Sequence, residues 1–229
     1  MESNLKNQDK ARTEIMSVMK AKLARRFHPD NEEQKANLSK VRHFSGKDMI
    51  RRPDVLNLCL CDDRPNKTAD NEGEKPEKRV YKHEEYFSRT DKAILEALQL
   101  YAYHQKGNEK WMHSESKRLG QAAADWVYAD KPEYAESRKN QILKRFSRLF
   151  TETSLEVLSS NLRGVIDLLS DEGIPLDYRY LAYDIYRVIP EPYNPDRIRK
   201  VWLGWSKDFS CELDQLEREM QEKKLKSKK

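Results

Sequence analysis

Three observations predict an all-helical chain. Apolar residues recur at three- and four-residue spacing through most of its length, no stretch sustains a period of two, and the prolines stand where one apolar stripe stops and another starts. The 229 residues can bury one good-sized core or two small ones, and such stripes pack as bundles.

The first helix is expected from about Asn7 to Phe27, with Ile15, Met19 and Leu23 four apart and Met16 beside them. His28-Pro29 stops it, because proline restricts the residue before it and donates no hydrogen bond. A second, from about Glu32 to Phe44, turns Leu38 and Val41 inward and ends near Gly46. The apolar Val55–Leu60 run is too short to carry a sheet. Residues 62–85 read DDRPNKTADNEGEKPEKRVYKHEE, where only Val80 and Tyr81 offer anything to pack. So little apolar surface does not offset the entropy of ordering, so a mobile loop or linker is expected there. It is either a domain boundary or a surface excursion, and its residues do not decide which.

Beyond Ser88, Ile94, Leu95, Leu98, Tyr101 and Ala102 form one stripe, broken at Gly107-Asn108. Leu119, Ala122, Ala123, Trp126 and Val127 form another, whose alanines allow close helix approach. In the next helix, from about Pro132 to Phe150, Ile142, Phe146 and Leu149 fall together on a wheel, with Leu143 and Phe150 widening the face. Arg138, Arg145 and Arg148 gather opposite them within roughly 80° of arc. The helix from Ser154 to Leu169 turns Leu155, Leu158, Leu162, Val165, Ile166 and Leu169 inward, leaves Arg163 outward and ends at Gly173-Ile174-Pro175. Asp177 caps a helix carrying Leu181, Ile185 and Ile189, crowded by Tyr178, Tyr180, Tyr183 and Tyr186. Asn194-Pro195 starts the last helix, an acceptor at the N-cap followed by a residue that needs no amide donor. That helix carries Ile198, Val201, Trp202, Trp205, Phe209, Leu213, Leu216 and Met220, and frays in KKLKSKK.

A net charge of +5 is modest for a chain with 36% charged residues, so clustering matters more than the total. Lysines and arginines do cluster, at Arg42, Lys47, Arg51 and Arg52 and again along the Arg138–Arg148 helix, with Arg163 and Lys207 on other helices. Converging, they would form a track for phosphates rather than a code for bases; a plain solvated face is the bland reading. No catalytic set accompanies them. Cys59 and Cys61 lack the second pair that tetrahedral zinc needs, the five histidines are scattered without HExxH spacing, and neither glycine-rich phosphate loop is present. No metal or cofactor is expected, and carboxylates suited to a two-metal nuclease have no distinctive setting. Three cysteines without a secretory h-region suggest a reduced, cytoplasmic protein, and no apolar run is long enough for a membrane span.

At this point the residues carry a resemblance. Residues 144–186 resemble the corresponding stretch of the CasB family, the small subunit of type I-E CRISPR Cascade complexes. An R-R-F opening, an H-L-R step, a G-[VI]-P-L-D-[WY] turn and a closing W-x-x-D-F have counterparts here. They are Lys144-Arg145-Phe146, Asn161-Leu162-Arg163, Gly173-Ile174-Pro175-Leu176-Asp177-Tyr178 and Trp205-Ser206-Lys207-Asp208-Phe209. Tyr101-Ala102-Tyr103-His104, Leu119-Gly120-Gln121-Ala122 and the Ala36–Arg42 element before Gly46-Lys47 are similar to upstream family steps. Lys144, Asn161 and Gln121 depart from the family's arginine, histidine and arginine, and the 62–85 loop is longer than usual.

The resemblance implies a smaller N-terminal bundle (1–57), a linker (58–87) and a larger C-terminal bundle (88–229). It implies a non-enzymatic subunit that binds the displaced DNA strand without sequence preference and stabilises the R-loop. Its partners would be a second copy of itself, the backbone subunits on the guide RNA and the large PAM-recognising subunit. Arg42, Lys47, Arg51, Lys144, Arg145, Arg148, Arg163 and Lys207 are then the candidate phosphate contacts. The rival reading is a structural adaptor that touches no nucleic acid, with Tyr178, Trp202 and Trp205 packing against protein neighbours.

Overall fold

The computed structural model describes residues 2–44, 51–61, 87–129, 132–149, 154–189 and 194–226. Within them the chain is all-α. The helices are α1 (Glu2–Arg25), α2 (Glu32–Arg42), α3 (Pro53–Leu60), α4 (Arg89–His104), α5 (Leu119–Tyr128), α6 (Ala135–Leu149), α7 (Leu155–Asp171), α8 (Tyr178–Val188) and α9 (Pro195–Lys226), with a 3-10 turn at Pro132–Tyr134 before α6.

Side-chain caps set several helix starts. Asn31 accepts from the Gln34 amide before α2 at 2.8 Å. Ser88 and Asp91 form a reciprocal capping box before α4. Asp177 accepts from the amides of Arg179 and Tyr180, and Asn194 from that of Arg197 at 3.0 Å, both as the sequence suggests. The run from Val55 to Leu60 is helical: α3 has proline at its start, where the missing amide costs nothing, and buries Val55 and Cys59. It extends three residues into the segment read as a linker; residues 62–86 lie outside the described residues.

α4 lies at the centre, packed against α8, α7, α2, α3 and α1, while α5 lies along α9. Buried side chains of α1, α2 and α3 join the same hydrophobic cluster as those of α4, α7 and α8. This packing does not establish the division into two bundles. Polar links reinforce the joint: the Tyr101 hydroxyl of α4 donates to the Phe27 carbonyl past the end of α1 at 2.8 Å, and Gln99 to the Phe44 carbonyl at 2.7 Å. Lys22 of α1, wholly buried, donates to the Leu58 carbonyl at 3.1 Å and to that of Cys61, satisfying the C-terminal end of α3.

After Gly107, whose φ of 77° suits glycine, residues 108–118 run across the bundle, and His113 forms an isolated bridge with Leu176. That bridge ties them to the turn at Gly173 (φ 61°) that precedes α8. No helix among the described residues is long and apolar enough to cross a membrane.

Candidate nucleic-acid interface

α6 owes its two-sided character to Ile142, Phe146 and Leu149, which are buried, while Lys144 and Arg148, four residues apart, face solvent. After Glu136 the helix carries no carboxylate, and Lys144, Arg145 and Arg148 lie toward its C-terminal end, where the backbone dipole favours cations. Leu143, expected to widen the apolar face, is instead 45% exposed, because α5 and α7 cover only the narrower stripe. Phe150 lies outside the described residues.

Arg145 is half-buried, and its guanidinium lies over Gly164 of α7, where an added Cβ would stand 2.6 Å from Nη1. The glycine thus makes room for the arginine. Arg163, the chain neighbour of Gly164, is exposed, as are Lys144 and Arg148 on α6. The carboxylates of Asp167, which accepts from the Tyr103 hydroxyl at 2.6 Å, and of Glu96, hydrogen-bonded to Ser159, lie in the neighbourhood of Arg163. Burial raises the Glu96 pKa, against the opposing pull of Ser159 and the Arg163 charge.

Arg138 leaves the expected ridge. It donates to the Trp126 and Ala129 carbonyls at 3.0 and 2.6 Å, pairs with Glu172 at 2.6 Å and lies over the Trp126 ring. The open carbonyls at the end of α5 require donors, and the helix wheel of α6 alone does not reveal them. Arg42 is partly committed too: half-buried, it donates from Nε to the Ala102 carbonyl at 3.0 Å, and burial lowers its pKa. Arg51 is exposed just before α3, and Lys47 lies outside the described residues. Arg42 belongs to α2 and Arg51 precedes α3, both of which pack on α4, whereas α6 packs on α5 and α7. Lys207 is exposed on α9, two residues before Phe209, whose ring meets Phe146 of α6 at 5.7 Å.

Two of the three expected interface aromatics are corrected. Tyr178 and Trp205 are wholly buried inside the chain, so no neighbouring protein reaches them. Tyr178 donates or accepts at His104 Nδ1, 2.8 Å away, and Trp205 donates to Asp184 at 2.7 Å. Trp202 is half-buried, one residue from Leu203, which is 61% exposed between Lys200 and Lys207. Gly164, which sets Arg145, carried no signal beyond being a single glycine within a helix. Among the described residues no group of three or more histidine, cysteine or carboxylate side chains is placed to hold a metal ion.

The family model of CRISPR-associated protein Cse2 matches residues 65–209, more than half of the chain. The chain belongs to the Cse2 family. Cse2/CasB-like proteins are small subunits of type I CRISPR Cascade complexes and are typically non-catalytic, so the partners of a Cse2 chain are the other subunits of a multi-subunit assembly. The Cse2 fold is also that of the crystal structure of CasB from Thermobifida fusca. That structure is similar with a TM-score of 0.57 at 22% identity, covering 87% of this chain and 97% of that one. No curated protein sequence matches the chain.

Proposed function

We propose that the protein holds the displaced DNA strand of a crRNA-guided surveillance complex, without sequence preference, and thereby stabilises the R-loop. The observation that supports this reading is the α6–α7 ridge, where Arg145 lies over Gly164 and Lys144, Arg148 and Arg163 are exposed, on a chain of the Cse2 family. Long flexible cations suit phosphates, which carry no sequence information. R-loop formation is near balance, so a few such contacts tip it while guide pairing supplies selectivity. Arg51 and Lys207, and Lys47 and Arg42 on the N-terminal side, extend the track in this reading, and a second copy, the guide-RNA backbone subunits and the large PAM-recognising subunit flank it.

The test is retention of the displaced strand by the assembled complex as a function of salt. Replacing Lys144, Arg145, Arg148 and Arg163 with alanine is expected to weaken retention equally across sequences, flattening the salt slope by about 0.7 per lost phosphate contact. Gly164→Ala is the sharper probe. Its methyl displaces only the far end of Arg145, so it should give part of that loss with the melting temperature held. An unchanged slope in the fourfold variant overturns the reading. The adaptor alternative draws on exposed Leu203 beside Trp202, a surface suited to a protein neighbour; it predicts no strand crosslinks on the α6–α7 ridge.

A further inference from the structure

α8 places Tyr180, Tyr183 and Tyr186 at three-residue intervals along one side, each half-buried, and guanidinium groups from separate parts of the chain converge on them. Arg12 of α1 lies 5.9 Å from the ring centres of both Tyr180 and Tyr183. Arg118, at the N-cap of α5, lies 5.2 Å from Tyr180, Arg187 lies 5.6 Å from Tyr183, and Arg89, at the start of α4, lies 4.4 Å from Tyr186. Tyr183 and Tyr186 stack on each other at 6.2 Å, 15° from parallel. Arg197 of α9 is near enough to Tyr183, Tyr186 and Arg187 to interact with their charges.

The counter-charge lies mostly underneath. Asp184, wholly buried within α8, pairs with Arg118 and Arg187 at 3.6 Å each, and Asp208 pairs with Arg118 at 3.1 Å; Asp9 of α1 is near Tyr183. Burial is the chief cause that holds Arg197 below the ordinary arginine pKa. A guanidinium lying over a ring keeps its edge donors in a fixed plane, so little freedom remains to be lost when an anion binds. The tyrosine ladder spans about 9 Å at 1.5 Å per helical residue, room for a few consecutive phosphates.

We propose that this strip is a second single-strand site, distinct from the α6–α7 ridge, in which Arg12, Arg89 and Arg187 hold successive phosphates of a nucleic acid. The shared chemistry is a flexible polyphosphate strand, from either DNA or RNA. The experiment measures salt-dependent binding of the full chain to oligothymidine and to oligouridine of about fifteen residues, with photocrosslinking through 5-iodouracil. The variants are Arg12→Glu, the triple Arg12→Gln/Arg89→Gln/Arg187→Gln, and the ridge pair Lys144→Gln/Arg148→Gln. The triple variant is expected to flatten the salt slope by about 2, at about 0.7 per contact, and to abolish crosslinks to the α8 peptide. Arg12 is exposed, so Arg12→Glu leaves the core intact and should still lower both readouts. The arm that crosslinks identifies the strand. Losses confined to the ridge pair, with Arg12→Glu binding and crosslinking as the parent does, overturn the strip and leave the ridge. Losses confined to the strip variants do the reverse.

Discussion

A histidine sealed from water is stable only while neutral, and His104 is sealed. It is fully buried, held by Tyr178 at 2.8 Å, and burial pushes its pKa down to about 4 from the usual 6.5. The unfolded chain therefore takes up a proton between these values that the folded chain refuses, so stability is complete above about pH 6.5 and falls as the pH drops. His113, lowered chiefly by burial as well, acts in the same sense. Between about pH 7.5 and 5.5 His104 should remove about 1 kcal/mol, read as a falling urea midpoint. Glu96 and Asp184, both raised by burial, act in the opposite sense. His104→Asn, which keeps an acceptor near the Nδ1 position, should flatten the profile; a flat profile in the parent refutes the account. Single residues were legible in the sequence where their partners are local. Asp177 and Asn194 cap because the amides they satisfy are two and three residues away. Trp202 and Trp205 were not distinguishable, because which indole is covered depends on α5 and α8 rather than on α9 itself.

Helix pairs obey a second rule, that backbones approach only where side chains allow it. The Ala122–Ala124 run of α5 announced a close contact, but its tightest point is Gly120, where a Cβ would stand 2.3 Å from the Trp205 carbonyl oxygen and 2.8 Å from the Phe209 amide. Backbone atoms cannot swing aside as Arg145 can from Gly164. Gly120→Ala should therefore cost about 3 kcal/mol by forcing α5 from α9, measured by chemical denaturation. At Gly107 a Cβ meets nothing within 4 Å and only the positive φ is strained, so Gly107→Ala should cost about 1 kcal/mol. Equal losses at the two sites would remove the steric argument. α3 escaped the sequence reading because eight residues give too few turns for a periodic stripe, although Pro53 followed by Asp54 was a start signal.

The core joins everything described into one packed body. Ile15, Met19, Leu23 and Phe27 of the α1 region belong to the same cluster as Leu98, Tyr101 and Leu181, and α1 packs on α8. A shared core predicts one cooperative transition, so urea unfolding followed by tryptophan fluorescence and by far-ultraviolet circular dichroism should coincide. A separately melting N-terminal bundle would split the two curves, its fluorescence change limited to Trp111, whose ring lies 4.4 Å from that of His28, while Trp126, Trp202 and Trp205 stay unchanged. That result would restore the two-bundle division. Periodicity, caps and prolines were enough to read an all-helical chain, most of its helix boundaries and the basic face of α6, because each depends on residues within a turn or two of one another. Which cations remain at the surface was decided only in three dimensions. Arg138 turned to the end of α5, Arg42 turned to α4, Arg145 settled over a glycine on α7, and Arg12, Arg89 and Arg118, distant in sequence, met over the tyrosines of α8. Long side chains choose among carbonyls, carboxylates, rings and solvent according to what the neighbouring helices bring within reach, and no local pattern encodes that choice.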